Sequence, residues 1–338
     1  MQSDVEALEK VVEWLDGLNL GNPTDRLHNY LASIRQQLPL PADMAEQAKM
    51  GFTFLEAREF VSVCSAYRGA ETPALIAKLK TVLCGSPSLL EESVKNSDAR
   101  NTMFEISLAA ELRLRGVDAE LGEPDLVISL PGGQYVLECK RPFRETGLES
   151  NVKDANRQLR KNLRLGQRGV IAISLSRIVN PGKTLPYIDV ENQDPQGVVH
   201  GNLQADLGRK CIRLMGDHLS EINFSPNIVA LMFDLSTPYR TEEGEGLMHG
   251  SRFYPTDEPK VIRGKSVTSG NPSRTFTYLE MTINKLLEND LSPEAHAVTA
   301  LIDLRSQLPP GVAVAISKNK ADPLPMEIMF MGDFKSRK

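Results

Sequence analysis

PDLVISLPGGQYVLECK, residues 124–140, decides how the rest of this chain is read. Two strand-like runs flank PGGQ, a turn signal, so the stretch reads as a β-hairpin. It carries an Asp at one end and Glu-x-Lys at the other. Both strands are otherwise apolar enough to be buried. Three ionisable groups beside a packed interior are costly unless they are paired, coordinate a metal or do chemistry.

With a loop of two or four residues, Leu130 is expected to pair with Tyr135, which sets Asp125 opposite Lys140 and Val127 opposite Glu138. Cross-strand partners share a face, so Asp125, Glu138 and Lys140 point the same way. Asp125 and Glu138 are then diagonal neighbours, roughly 7 Å apart at Cβ or less, and their carboxylates could meet on one cation. A loop of three or five residues sends Asp125 to the opposite face. Cys139 points away from Glu138 and Lys140 in either register and reads as a small core residue. A solvated antiparallel face also produces Glu-x-Lys; the Asp opening the partner strand is what sets this hairpin apart.

The segments on either side extend the pattern. DARNTMFEISLAAELRLRG, ended by Gly116, has helical periodicity, and Glu105 falls on the line of Leu108, Ala109 and Leu112 while Glu111 lies off it. A carboxylate in register with a buried face needs a partner: either the hairpin site or Arg100 or Arg115 beside it. After the hairpin, Lys153, Arg157, Arg160 and Arg164 fall within about 60° of one another on a second helix, with Val152, Ala155, Leu159 and Leu163 on the other half. Gln158 lies on the flank between, within reach of the sheet edge. A basic stripe beside an acidic metal site suits a phosphodiester, gripped by cations on its flanking phosphates. A solvated basic face accounts for the same stripe.

Together these residues resemble the PD-(D/E)xK nuclease superfamily, the restriction-endonuclease-like fold. The order matches over roughly residues 98–176: a helix with Glu105, Pro124-Asp125 opening a strand, Glu138-x-Lys140 closing the next, then a helix and a strand. The resemblance implies that Asp125 and Glu138 ligate one or two divalent cations, usually Mg²⁺ with Mn²⁺ able to substitute. The Cys139 carbonyl would be a third ligand, and Glu105 would act directly or through water. Lys140 would orient and help deprotonate the attacking water and stabilise charge on the phosphate. Gln158 stands where the RecB-like and exonuclease branches carry a helix glutamine; the tyrosine they carry four residues later is Asn162 here.

Farther out, residues 1–97 read as a helical region of four or so elements separated by GNP, LPLPAD, RGAETP and CGSPS, with Thr24, Thr72 and Ser86 at N-cap positions. Residues 98–338 alternate strands and helices, which indicates an α/β domain with a central mixed sheet. Long insertions are expected near 177–206 and 236–274, where periodicity fails. TYLEMTINKLLEND reads as a helix, and apolar runs AVTALIDLRS, GVAVAISK and EIMFMG close the chain.

Bulk properties narrow the setting. At 338 residues and 25% charged, the composition is that of a soluble globular protein. No apolar run approaches the roughly 18 to 20 residues that span a bilayer, and the amphipathic, acidic start does not read as a signal peptide. Four scattered cysteines without a CxxC pair favour a reducing cytoplasm. A net charge of −5 argues against coating nucleic acid with the whole surface but allows a local basic cleft. The five histidines share no ligand spacing, and neither GEGLMHG nor PGKT has the spacing of a phosphate loop.

The expectation is therefore a metal-dependent nuclease, acting on DNA in preference to RNA, in a setting of restriction, repair or antiviral defence. Its N-terminal helices would bind a partner, regulate activity or build a homodimer. The alternative is a catalytically inactive nuclease-like module that binds nucleic acid or serves assembly.

Overall fold

A computed structural model describes residues 2–20, 25–36, 44–86, 91–114, 116–130, 133–181, 209–241, 244–256, 312–315 and 327–332. Four helices come first: α1 (Gln2–Gly17), α2 (Asp25–Gln36), α3 (Met44–Tyr67) and α4 (Pro73–Leu83). Thr72 caps α4 as its position predicts, its hydroxyl accepting from the Leu75 N–H at 3.2 Å. Thr24 lies outside the described residues. Ser86 follows α4 and accepts from Arg100, and the residues it would cap, 87–90, lie outside the described residues.

Helix α5 (Asp98–Leu114) leads into an antiparallel run of β1 (Asp118–Leu121), β2 (Leu126–Leu130) and β3 (Gly133–Lys140). Gly116, at φ +81°, makes the turn out of α5, with the Val117 N–H returning to the Leu112 carbonyl. Helix α6 (Leu148–Asn162) crosses to β4 (Arg168–Ser174), parallel to β3. The short α7 (Ser176–Val179) follows β4. A helical stretch over 209–214 that widens into a π turn at Met215–Leu219 precedes β5 (Ile228–Thr241), parallel to β4. Strands β6 (Gly244–Pro255), β7 (Val312–Ala315) and β8 (Glu327–Gly332) extend the sheet antiparallel, giving the order β1-β2-β3-β4-β5-β6-β8-β7. The protein is thus α/β, with N-terminal helices followed by a mixed sheet.

Side-chain alternation sorts the sheet into two faces. Leu126, Ile128, Tyr135, Leu137, Cys139, Val170, Ala172 and Met232 share one core with residues of α1, α3, α4 and α5. Val136, Ile171, Ile173, Leu231 and Phe233 form the other with Val152, Ala155 and Leu159 of α6 and Leu214 and Leu219. Covered on both sides, β3 is buried from Tyr135 to Cys139. Within α6 the buried Asn156 carries polarity into the apolar side. Its amide donates to the Asn223 carbonyl and accepts from the Ser225 N–H, pinning the helix to the segment before β5.

One sequence expectation changes here. The stretch 236–256 belongs to the β5–β6 hairpin rather than to an exposed excursion, with Leu235 paired to Gly250 and Thr241 to Gly244. Pro238 and the glycines of GEGLMHG hide the strand periodicity, and the ladder to β5 supplies what local propensity lacks. The rest of that excursion, the helix over 277–290 and most of the 177–206 insertion fall outside the described residues.

Candidate functional site: carboxylates at the open end of the hairpin

The hairpin register is two residues tighter than expected. Leu130 pairs with Gly133 and Leu126 with Leu137, leaving two residues in the turn. Continued one residue past β2, this register sets Asp125 level with Glu138 instead of Lys140. Parity is preserved, so Glu138 and Lys140 lie on one side of the ladder and Cys139 on the other, with Asp125 just before the ladder begins. Because β2 begins only at Leu126, the Cys139 N–H has no strand partner on that edge. The Asp125 carboxylate supplies one, accepting that N–H at 2.7 Å.

Around this point the chain gathers charge from three places. Glu138 is 3% exposed, and the Lys140 ammonium donates to its Oε1 at 2.6 Å. Glu105 reaches the cluster from α5. Arg115 lies outside the described residues and Arg100 turns instead to Glu56 and Ser86; Glu105 is paired with Lys78 of α4. Lys78 is the site residue that sequence reading misses. It lies three residues from Leu75 and four from Val82, so its helical position marks it only as the edge of a buried face.

Burial raises the pKa of all three carboxyls. Glu138 is pushed up to about 7, by loss of solvent first and by the Asp125 charge second, with Lys140 opposing. Asp125 is raised by burial against the Cys139 N–H, Lys78 and Lys140. Glu105 is raised by burial and by Asp125, again against Lys78 and Lys140. For Lys78, burial works against its charge, but Glu105 and Asp125 outweigh it and raise its pKa. Three acids thus share two lysines and one backbone N–H, and burial holds all three out of solvent.

That excess bears on a metal. Clustered, desolvated carboxylate oxygens are the donor set of a hard divalent cation such as Mg²⁺, and the raised pKa values mark oxygens that burial has taken out of solvent. By chemistry the residues fit such an ion. By placement, no group of three or more His, Cys, Asp or Glu side chains among the described residues is set to hold one. Lys78 and Lys140 hold oxygens of Glu105 and Glu138.

The expected basic stripe forms only in part. Lys153 pairs with Glu149 at 2.6 Å and Arg157 with Asp154 at 2.9 Å, both exposed, and Arg160 is exposed too. Arg164 leaves the line because α6 ends at Asn162 and Leu163 turns extended. Gln158 is not brought to the carboxylates. It is exposed, one residue from Leu159, which packs at the level of Gly169 and Val136, below Glu138 on the strand. Among the described residues its side chain makes no hydrogen bond; helix direction carries the end of α6 away from the end of β3.

One residue past Lys140, a second polar centre begins. Arg141 forms a two-point ion pair with the fully buried Glu92, and Arg177 lies 3.8 Å from the same acid and stacks over Phe143. Arg100 meets Glu56 at 2.5 Å, and Tyr30 also donates to Glu56. Glu56, Arg100, Arg141 and Arg177, with Ser174 at the end of β4, Asn180 after α7 and Asp234 within β5, line a cleft beneath α3. No described helix is long and apolar enough to cross a membrane. No family model matches this chain, and no curated protein matches it significantly.

Proposed function

We propose that the protein is a divalent-metal-dependent nuclease of the PD-(D/E)xK kind, hydrolysing phosphodiester bonds, with DNA the preferred substrate. One observation carries this reading: Asp125, Glu138 and Glu105 are gathered around Lys140 at the end of a hairpin, all three with raised carboxyl pKa values. A cluster kept for folding alone gains little from three desolvated acids within electrostatic reach of one another, because an apolar replacement is often as stable or more so.

Asp125, Glu138 and Glu105 would hold the cation, with the Cys139 carbonyl as a further oxygen. Such an ion supplies Lewis acidity at the scissile phosphate. The chain does the rest. The Cys139 N–H fixes the Asp125 carboxylate, so that acid is oriented before any ligand arrives. Lys140, once released from Glu138, presents its ammonium to a phosphate oxygen and positions the attacking water. Exposed Arg157 and Arg160 are available to the flanking backbone phosphates.

The test is cleavage of plasmid and linear DNA with Mg²⁺ or Mn²⁺, wild type beside Lys140→Ala and Asp125→Asn. Metal-dependent cutting by wild type alone supports the reading, and its products give the cleavage mode. The paired state of both lysines favours a second reading, a retired nuclease that only binds nucleic acid. That reading expects salt-sensitive binding, no cutting and no metal uptake by a well-folded wild type.

A further inference from the structure

We propose that Lys78 is the resident counter-ion of the carboxylate cluster and competes with a divalent cation for Glu105, so that the N-terminal helices set the metal affinity of the site. This inference rests on the metal-dependent reading above.

Lys78 stands on a firm platform. Helix α4 is capped at Thr72 and seated through Leu75, Leu79, Val82 and Leu83, each no more than 3% exposed. It packs directly against α5, which carries Glu105. The ammonium bonds the Glu105 carboxylate with 20% of the Lys78 side chain and 15% of the Glu105 side chain exposed. A lysine this far from water costs desolvation, and an apolar side chain at the rim of the same seam would pack without it. The charge is therefore explained by the acid it faces and not by the helix that carries it.

The two lysines of the cluster differ in origin. Lys140 belongs to the hairpin and sits on Glu138, whereas Lys78 comes from the helical region and sits on Glu105. A cation that takes an oxygen of Glu105 must displace the ammonium now bonded there. The flexible four-carbon stem of lysine permits that withdrawal. Lys78 is thus a positioning residue: it holds Glu105 when no metal is bound and lowers the net affinity when one arrives.

The experiment is calorimetric titration of the full chain with Mn²⁺ alone, for wild type, Lys78→Met, Glu105→Gln and the double variant, with Lys78→Arg as the conservative control. Lys78→Met is expected to bind Mn²⁺ about tenfold more tightly than wild type, a gain that disappears in the Glu105→Gln background. Lys78→Arg is expected to stay near wild type. Mn²⁺ should also raise the melting temperature of Lys78→Met by more than that of wild type. Equal or weaker binding by Lys78→Met, or the same gain with and without Glu105, overturns the proposal while leaving the metal site standing. No Mn²⁺ binding by any folded variant overturns both. If Lys78→Met does not fold, Lys78→Gln carries the same comparison.

Discussion

Glu138 and Glu145 lie close together in the chain and at opposite ends of the carboxylate range. Glu138 is pushed up to about 7, because burial and the neighbouring Asp125 outweigh Lys140. Glu145 is drawn down to about 2: burial is the largest single influence and opposes this, but hydrogen bonds from Arg213, His218 and Lys210 together prevail. The second acid ties the turn after β3 to the helical stretch before β5, and its partners, at 2.7 to 3.2 Å, leave it nothing to recruit. The first belongs to a group with an acid to spare. A satisfied charge cluster holds a fold together; one left short of positive charge has capacity for a ligand.

The largest effect that would break this contrast is on catalysis. Asp125→Asn and Lys140→Ala should each lower the initial rate of Mg²⁺-dependent DNA cleavage by about a hundred- to a thousandfold with folding retained by circular dichroism. Glu145→Gln should leave the rate within about twofold. Equal losses at Glu145 would erase the distinction.

Stability provides the next test. Glu92 is a buried acid whose cations are in place, with Arg141 bound at two points and Arg177 beside it. Removing its charge strands a guanidinium, so Glu92→Gln should lower the urea-derived unfolding free energy by about 3 kcal/mol or more. Glu138→Gln in EDTA should cost less and could stabilise.

The pH dependence separates the two glutamates by window. Between about 4.5 and 7 the folded chain keeps a proton on Glu138 that the unfolded chain has released. In EDTA, stability should fall as pH rises through that window, and Glu138→Gln should flatten the slope. Glu145 has the opposite sign. The unfolded chain binds its proton near 4.5 and the folded chain only near 2, so stability falls as pH falls between those values. Glu145→Gln should remove that part of the acid limb, measured as urea midpoints at successive pH.

The smallest effect concerns the surface. Reversing Arg157 and Arg160 to Glu should weaken binding of duplex DNA about tenfold and make its salt dependence shallower, without changing the melting temperature appreciably. Binding and cleavage both unchanged would move the substrate path away from α6.

Much of the site was legible because it depends on local repeat. Period two in the hairpin places Asp125, Glu138 and Lys140 together and Cys139 apart, and that assignment survives a register two residues tighter than expected. The helical period places Glu105 at the inner rim of α5 and gives α6 its apolar side. What failed was reach. Gln158 has a plausible angle on α6 but lies too far along it, and Arg164 has a stripe position but no helix to hold it. Strand β6 went unread because its glycines and the proline of β5 speak against a strand that only its partner enforces.

By itself, the amino-acid order determined which side chains share a face, since alternation and helical turn follow from backbone geometry over a few bonds. It also placed a carboxylate pair and a lysine on one short hairpin. Only the tertiary structure decided who neutralises whom: Lys78 on Glu105, Arg141 on Glu92 and Arg100 on Glu56 join residues far apart in the chain. A charge's partner depends on how helices and sheet pack, because burial sets the cost of leaving it unpaired and packing sets what lies within reach.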